Sequence, residues 1–119
     1  MRRLALAIVV ALGGCEGGVE SEARLPGARP EAGRALVVAL ECGVCHAIPG
    51  VRGARGVVGP PLDHFGDRPF IAGVVPNRPA LLVQWIMDPP SIAPGTGMPS
   101  LGLDEAQARD VAAYLYTLR

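Results

Sequence analysis

Lysine is missing from this chain: all eleven of its basic residues are arginine. They balance eleven carboxylates, so the formal charge is zero. That argues against a nucleic-acid binder, which needs a basic surplus. Aromatic residues are scarce as well, with Phe65, Phe70, Trp85, Tyr114 and Tyr116 as the complete set. Five rings exclude a core built chiefly on them, and such a chain gains from a bulky apolar cofactor at its centre. Long apolar runs are absent too. The longest, Leu4 to Leu12, has nine residues, whereas a helix crossing a hydrocarbon core of roughly 30 Å takes about 20. No alternating strand pattern and no internal repeat is found, which leaves an all-α reading. Glycine and proline are plentiful, sixteen and twelve among 119 residues, and predict long irregular connections. Cysteine occurs three times, at 15, 42 and 45.

The chain opens "MRRLALAIVVALGGC". A basic pair, Arg2 and Arg3, followed by the nine-residue apolar run has the proportions of an export signal over residues 1–14. "LGGC" resembles the bacterial lipobox, and that resemblance implies that Cys15 is lipidated and becomes the mature N-terminus. Ordinary cleavage nearby, leaving Cys15 absent or free, is the alternative. Lipidation accounts for the odd thiol of an exported chain. Removal of residues 1–14 leaves nine arginines against eleven carboxylates, a net charge of −2. Residues 16–30, "EGGVESEARLPGARP", read as a flexible tether behind Cys15. Such a tether spans about 20 Å on average and about 50 Å extended.

Residues 31–119 form the domain. Pro30 stands at a helix start, and Leu36, Val37, Leu40 and Val44 recur at helical spacing. A first helix is therefore predicted to run into "CGVCH" at 42–46. "IPGVRGARGVVGPP" is loop by composition. In "NRPALLVQWIMDPP", Asn77 is the expected N-cap, Leu81, Leu82, Trp85 and Ile86 the apolar face, and Pro89–Pro90 the stop. Asp104 and Gln107 have capping-box spacing ahead of a last helix with Ala108, Val111, Ala112, Leu115 and Leu118 on one stripe.

The CGVCH motif has three possible uses. A redox dithiol belongs at the head of a helix after a strand, but this motif follows a helix and no strand is predicted. Structural zinc needs four ligands, and Cys42, Cys45 and His46 supply three. Covalent haem needs two thiols for two vinyl groups and an imidazole beside the second thiol, which Cys-x-x-Cys-His meets. The motif alone leaves the choice open. A second ligand decides it: Met98 lies 52 residues after His46, in "PGTGMPS", a rigid loop that cannot be a helix-core stripe. A thioether there is an expected sixth ligand to haem iron. Met87 reads as core beside Trp85. His64 is the rival distal ligand.

With these residues in view, 31–119 resembles a class I c-type cytochrome: three main helices and long loops around one covalent haem c. The resemblance implies that Gly33 lies where the first and last helices cross, facing Tyr114. It implies that the carbonyl of Pro60, in "GPPL", accepts from His46, and that Leu62 lines the haem. Trp85 takes the place of the tyrosine usual on the methionine side. Thr96 would hydrogen-bond a propionate, and Arg68 would pair with propionate charge. The family's propionate-side tryptophan has no counterpart. The lysine ring that docks mitochondrial cytochrome c is also absent, which leaves the partner surface unassigned. Arg52 and Arg55 are either solvated loop charges or contacts to a partner.

If His46 and Met98 fill both axial positions, the iron has no open site for a substrate. The expected function is therefore a non-enzymatic one-electron carrier in a periplasmic respiratory chain, with no small-molecule substrate. The resemblance implies a cytochrome bc complex as donor and a membrane terminal oxidase as acceptor, with the lipid on Cys15 holding the domain at the membrane. The alternatives are a soluble periplasmic carrier, or a haem sensor or peroxidase-like enzyme in which Met98 dissociates.

Overall fold

The first and last long helices are joined by a buried carboxylate. The computed structural model describes residues 24–119; the expected signal segment, Cys15 and tether residues 16–23 lie outside them. Helix α1 (Pro30–Ala39) begins with proline at its first position and has no side-chain cap of its own. The N–H of the flanking Arg29 instead donates to Asp110 Oδ1 at 2.8 Å, and its guanidinium donates to Oδ2 at 3.1 Å. Asp110 is 7% exposed and belongs to the last helix. Its charge is paired and lies at the positive end of α1.

Among the described residues, four α-helices and one minimal sheet make up the domain. They are α1, α2 (Pro79–Met87), the single turn α3 (Pro89–Ile92) and α4 (Glu105–Thr117). Antiparallel strands β1 (Phe70–Ile71) and β2 (Val75–Pro76) pair between α1 and α2. This hairpin is not legible in the sequence, because two residues per strand are too few to show alternation. The capping box forms as expected: Gln107 N donates to Asp104 Oδ1 at 2.8 Å, and Asp104 N donates to Gln107 Oε1 at 3.0 Å. Ala108, Val111, Ala112 and Leu115 are buried. At Gly33 an added Cβ would stand 1.9 Å from Asp110 O, so α1 and α4 touch backbone to backbone. The partner of Gly33 is thus Asp110–Val111, about one turn before the expected Tyr114. Helix α2 packs Leu82, Val83 and Ile86 into the same core. Among the described residues, no helix is long and apolar enough to cross a membrane.

Three expectations need correction. Helix α1 stops at Ala39 rather than entering CGVCH, because Glu41 turns left-handed at φ 56° and the motif winds into a separate 3-10 turn, Cys42–Val44. Val44 is accordingly exposed. Asn77 does not cap α2; Arg78 holds that position. The Asn77 amide instead donates to Phe65 O at 3.2 Å and Arg68 O at 3.0 Å, and its oxygen accepts from Tyr116 Oη at 3.0 Å. Burial pushes the Tyr116 phenol up to about 12, keeping the donated proton in place. Finally, the chain is packed from residue 24, so residues 24–30 are not tether. Leu25 and Ala28 are buried, and Arg24 donates to Gly66 O at 3.1 Å. The Arg24 guanidinium lies 4.5 Å from the Tyr116 ring centre, and Arg109 donates to Pro26 O at 2.9 Å. Composition shows the Gly and Pro content of this stretch but not the contacts that Leu25, Arg24 and Arg29 make across the chain.

Candidate functional site

Cys42 O is the hub of the CGVCH turn, accepting from Cys45 N at 3.2 Å and His46 N at 2.9 Å. These two bonds bring both cysteines and the histidine onto one tight turn. The thiols are half-buried and not joined to each other. Burial pushes the Cys42 thiol up, more than its backbone hydrogen bond lowers it. It therefore stays protonated, unlike the low-pKa thiolate of a redox dithiol. Among the described residues, no group of three or more Cys, His, Asp or Glu converges as a metal site, which removes the four-ligand zinc reading.

The following loop wraps this turn. Gly56 N donates to Gly43 O at 3.0 Å, Gly59 N to Cys45 O at 2.8 Å and Leu62 N to Ala47 O at 2.8 Å. The backbone at Gly59 lies against the imidazole: a Cβ there would stand 2.4 Å from His46 Cε1 and 2.7 Å from Nδ1. The Nδ1 atom is 2.7 Å from Pro60 O. A carbonyl only accepts, so Nδ1 carries the proton and Nε2 keeps its lone pair. The ring is thus held on one face, fixed in tautomer and left with one free donor atom. Two free thiols and one oriented imidazole on one turn, followed by a loop in which Leu62 is buried, fit a covalent haem.

The distal candidates sit on a separate support. Thr96 N donates to Ala93 O at 3.0 Å, and Met98 N donates to Thr96 Oγ1 at 3.2 Å. Ser100 Oγ donates to Asp88 Oδ1 at 3.2 Å, fastening the loop to the end of α2. Among the described residues, no hydrogen bond joins this loop to the CGVCH turn. Thr96 Oγ1 is used as an acceptor, which leaves its proton for another partner. Met98 and Trp85 are half-buried, Trp85 against the core. His64 is exposed, in a left-handed conformation at φ 53°.

Arg68 has local partners that the sequence does not show. Its guanidinium donates to Pro61 O and, at 3.0 Å, to Asp63 O, and it lies 5.5 Å from the Phe65 ring centre. Through these bonds Arg68 braces the loop that carries Pro60. Sequence reasoning missed Gly56 and Gly59 as parts of the site. Their spacing in "GVVGPP", next to the proline whose carbonyl accepts from His46, was the available signal.

Comparison with known proteins agrees with this geometry. The cytochrome c family profile matches residues 30–119. Cytochrome c oxidase subunit 2 of Alkalihalophilus pseudofirmus is 35% identical over 88 residues, covering 73% of this chain and 25% of that protein. The same subunit from Bacillus sp. strain PS3 is 35% identical over 82 residues, covering 66% of this chain and 23% of that protein. The chain therefore spans about a quarter of the length of these relatives. The crystal structure of SoxXA from P. pantotrophus superposes with a TM-score of 0.61 at 25% identity, covering 80% of this chain and 86% of that one. The chain belongs to the cytochrome c family, and its cofactor is covalently bound haem c.

Proposed function

We propose that the protein is a one-electron carrier with His46 and Met98 as axial ligands and Cys42 and Cys45 as the thioether attachment points. The observation that carries this reading is the His46 imidazole, bonded through Nδ1 to Pro60 O at 2.7 Å beside two free thiols. Bound haem c supplies an iron that takes up and releases single electrons. The work of the chain is to hold that group without rearranging. Pro60 fixes the His46 tautomer and raises its donor strength. The absence of a side chain at Gly59 leaves room for the ring against the loop backbone, and the Gly/Pro-rich loop carries the thioether of Met98, a ligand type that raises the potential. Thr96 has a hydroxyl proton to offer a propionate.

Similarity to two oxidase subunits supports a membrane oxidase as electron acceptor, with a cytochrome bc complex as donor. Cys15 is the proposed lipid attachment point in the periplasm. Residues 16–23 separate Cys15 from residue 24, where the packed domain begins; eight residues reach at most about 30 Å, so a lipid on Cys15 would keep the effective concentration at a membrane partner high. Cys15→Ser is expected to move the protein from the membrane fraction to the soluble periplasm with its visible spectrum unchanged. A wild-type protein found soluble, with a different mature N-terminus, refutes the anchor and leaves the diffusible carrier.

Carbon monoxide separates the carrier from the sensor or peroxidase-like enzyme. A reduced carrier with both axial positions filled is expected not to bind it at neutral pH. Rapid, stoichiometric binding to the reduced wild type would instead support the enzyme or sensor.

A further inference from the structure

Proline has no N–H, so Pro60 and Pro61 cannot anchor themselves by donating to a neighbour. The carbonyl that accepts from His46 Nδ1 at 2.7 Å therefore has to be aimed by the residues around it. On the side of the attachment turn, Gly59 N donates to Cys45 O and Leu62 N to Ala47 O, each at 2.8 Å. On the other side stands Arg68, whose guanidinium donates to Pro61 O and, at 3.0 Å, to Asp63 O. Segment 60–63 is thus held from two directions, and the second depends on where Arg68 is placed.

Arg68 ends the short turn Phe65–Asp67, and Asn77 ties the two ends of that turn together. Its amide donates to Phe65 O at 3.2 Å and to Arg68 O at 3.0 Å. Its oxygen accepts from Tyr116 Oη at 3.0 Å. Tyr116 is fully buried, where a phenol is costly unless its hydroxyl is paired. Its ring lies 6.5 Å from that of Phe65 and carries the Arg24 guanidinium on its face. The turn is also seated on the end of α4. Gly66 N donates to Leu118 O at 2.8 Å, and a Cβ on Gly66 would stand 2.7 Å from Tyr116 O. Among the described residues, no hydrogen bond joins Asn77 or Tyr116 to the CGVCH turn itself. They reach it only through the turn, Arg68 and Pro60.

We infer that Asn77 and Tyr116 are positioning residues for His46: through Arg68 they hold the Pro60 carbonyl on Nδ1 and so set the donor strength of the imidazole. This rests on the reading of His46 as an axial ligand. The sign of the effect follows from the bond. A well-aimed carbonyl makes the ring more basic, which favours the oxidised iron. Loosening the aim weakens that donation and raises the reduction potential. Mere loosening of the fold does the opposite, because water admitted to the site favours the more highly charged oxidised state. Positioning and general instability therefore move the potential in opposite directions.

The test uses the haem-loaded, reduced protein in proton magnetic resonance, with the midpoint potential measured on the same samples. Asn77→Ala is expected to speed solvent exchange of the His46 Nδ1 proton about tenfold, the lower end of what partners of a metal ligand contribute. It should also raise the reduced-to-oxidised ratio at fixed potential roughly threefold, which is about 28 mV at 59 mV per tenfold. Tyr116→Phe keeps the ring, deletes only the hydroxyl, and should shift both readouts the same way by less. If Asn77→Ala gives no loaded protein, Tyr116→Phe decides alone. Arg29→Ala strips the buried Asp110 of its guanidinium partner and loosens the contact between α1 and α4 without touching the bridge. It should leave exchange and potential at wild-type values. Wild-type exchange and potential in the Asn77 and Tyr116 variants overturn the proposal. So does a lowered potential in them, or an equal shift in Arg29→Ala, since either assigns the effect to general loosening. A wild type without the strongly upfield-shifted ring protons of a haem-bound imidazole overturns the ligand reading of His46, and the proposal with it.

Discussion

Gly33→Ala is expected to destabilise the domain by more than about 3 kcal/mol, beyond the usual cost of overpacking. Two effects oppose each other at this position. Alanine is the better helix former by roughly 1 kcal/mol in a helix interior, so a local view of α1 predicts stabilisation. The added Cβ, however, would stand 1.9 Å from Asp110 O and 2.4 Å from its carbonyl carbon. Those are backbone atoms in the middle of α4 and cannot rotate away. The helices must separate, and the bonds from Arg29 to the Asp110 carboxylate are strained with them. Steric repulsion wins. For a domain of this size the loss corresponds to a fall in melting temperature of more than about 12 °C. Thermal unfolding followed by circular dichroism checks it, and a rise in melting temperature would mean that α1 and α4 do not cross at Gly33.

Gly59→Ala is expected to leave the fold largely intact while damaging the site. The new methyl would lie within 3 Å of three ring atoms, Cε1 at 2.4 Å, Nδ1 at 2.7 Å and Nε2 at 2.9 Å. Either the imidazole tilts or the loop lifts, and both disturb the 2.7 Å contact to Pro60 O. Outer partners of this kind typically contribute a factor of 10–100 to metal affinity or activity. The yield of haem-loaded protein with a wild-type visible spectrum should therefore fall at least about tenfold. The helical content of the loaded fraction should remain. A wild-type yield and spectrum would show that the ring is not confined from this side.

These two glycines also mark how far the sequence could be read. Short-range chemistry was legible. The capping box of α4 follows from Asp104 and Gln107, three residues apart. The loop character of 48–61 follows from its glycines and prolines, and Cys42 and Cys45, three positions apart with His46 adjacent, do come together on one turn. What distant segments do to one another was not legible. Asn77 looks like a helix cap because capping is a local role, yet its amide bridges Phe65, Arg68 and Tyr116. The bonds of Arg68 to the carbonyls of Pro61 and Asp63 are likewise set by the folded loop and not by any local pattern. Residues 24–29 look like linker because Leu25 is a single apolar residue, and only the assembled fold provides the place where it is buried. The left-handed turn at Glu41, which separates α1 from the motif, had no glycine or proline to announce it.

The central claim is that one chain supplies both axial ligands, His46 from the wrapped turn and Met98 from the loop fastened to α2. The methionine–iron charge-transfer band of the oxidised protein tests it most directly, recorded for the wild type, Met98→Ala and His64→Ala near neutral pH. The expected result is a band present in the wild type, abolished in Met98→Ala and retained in His64→Ala. An unchanged low-spin spectrum in Met98→Ala, lost instead in His64→Ala, would contradict the account and make His64 the second ligand.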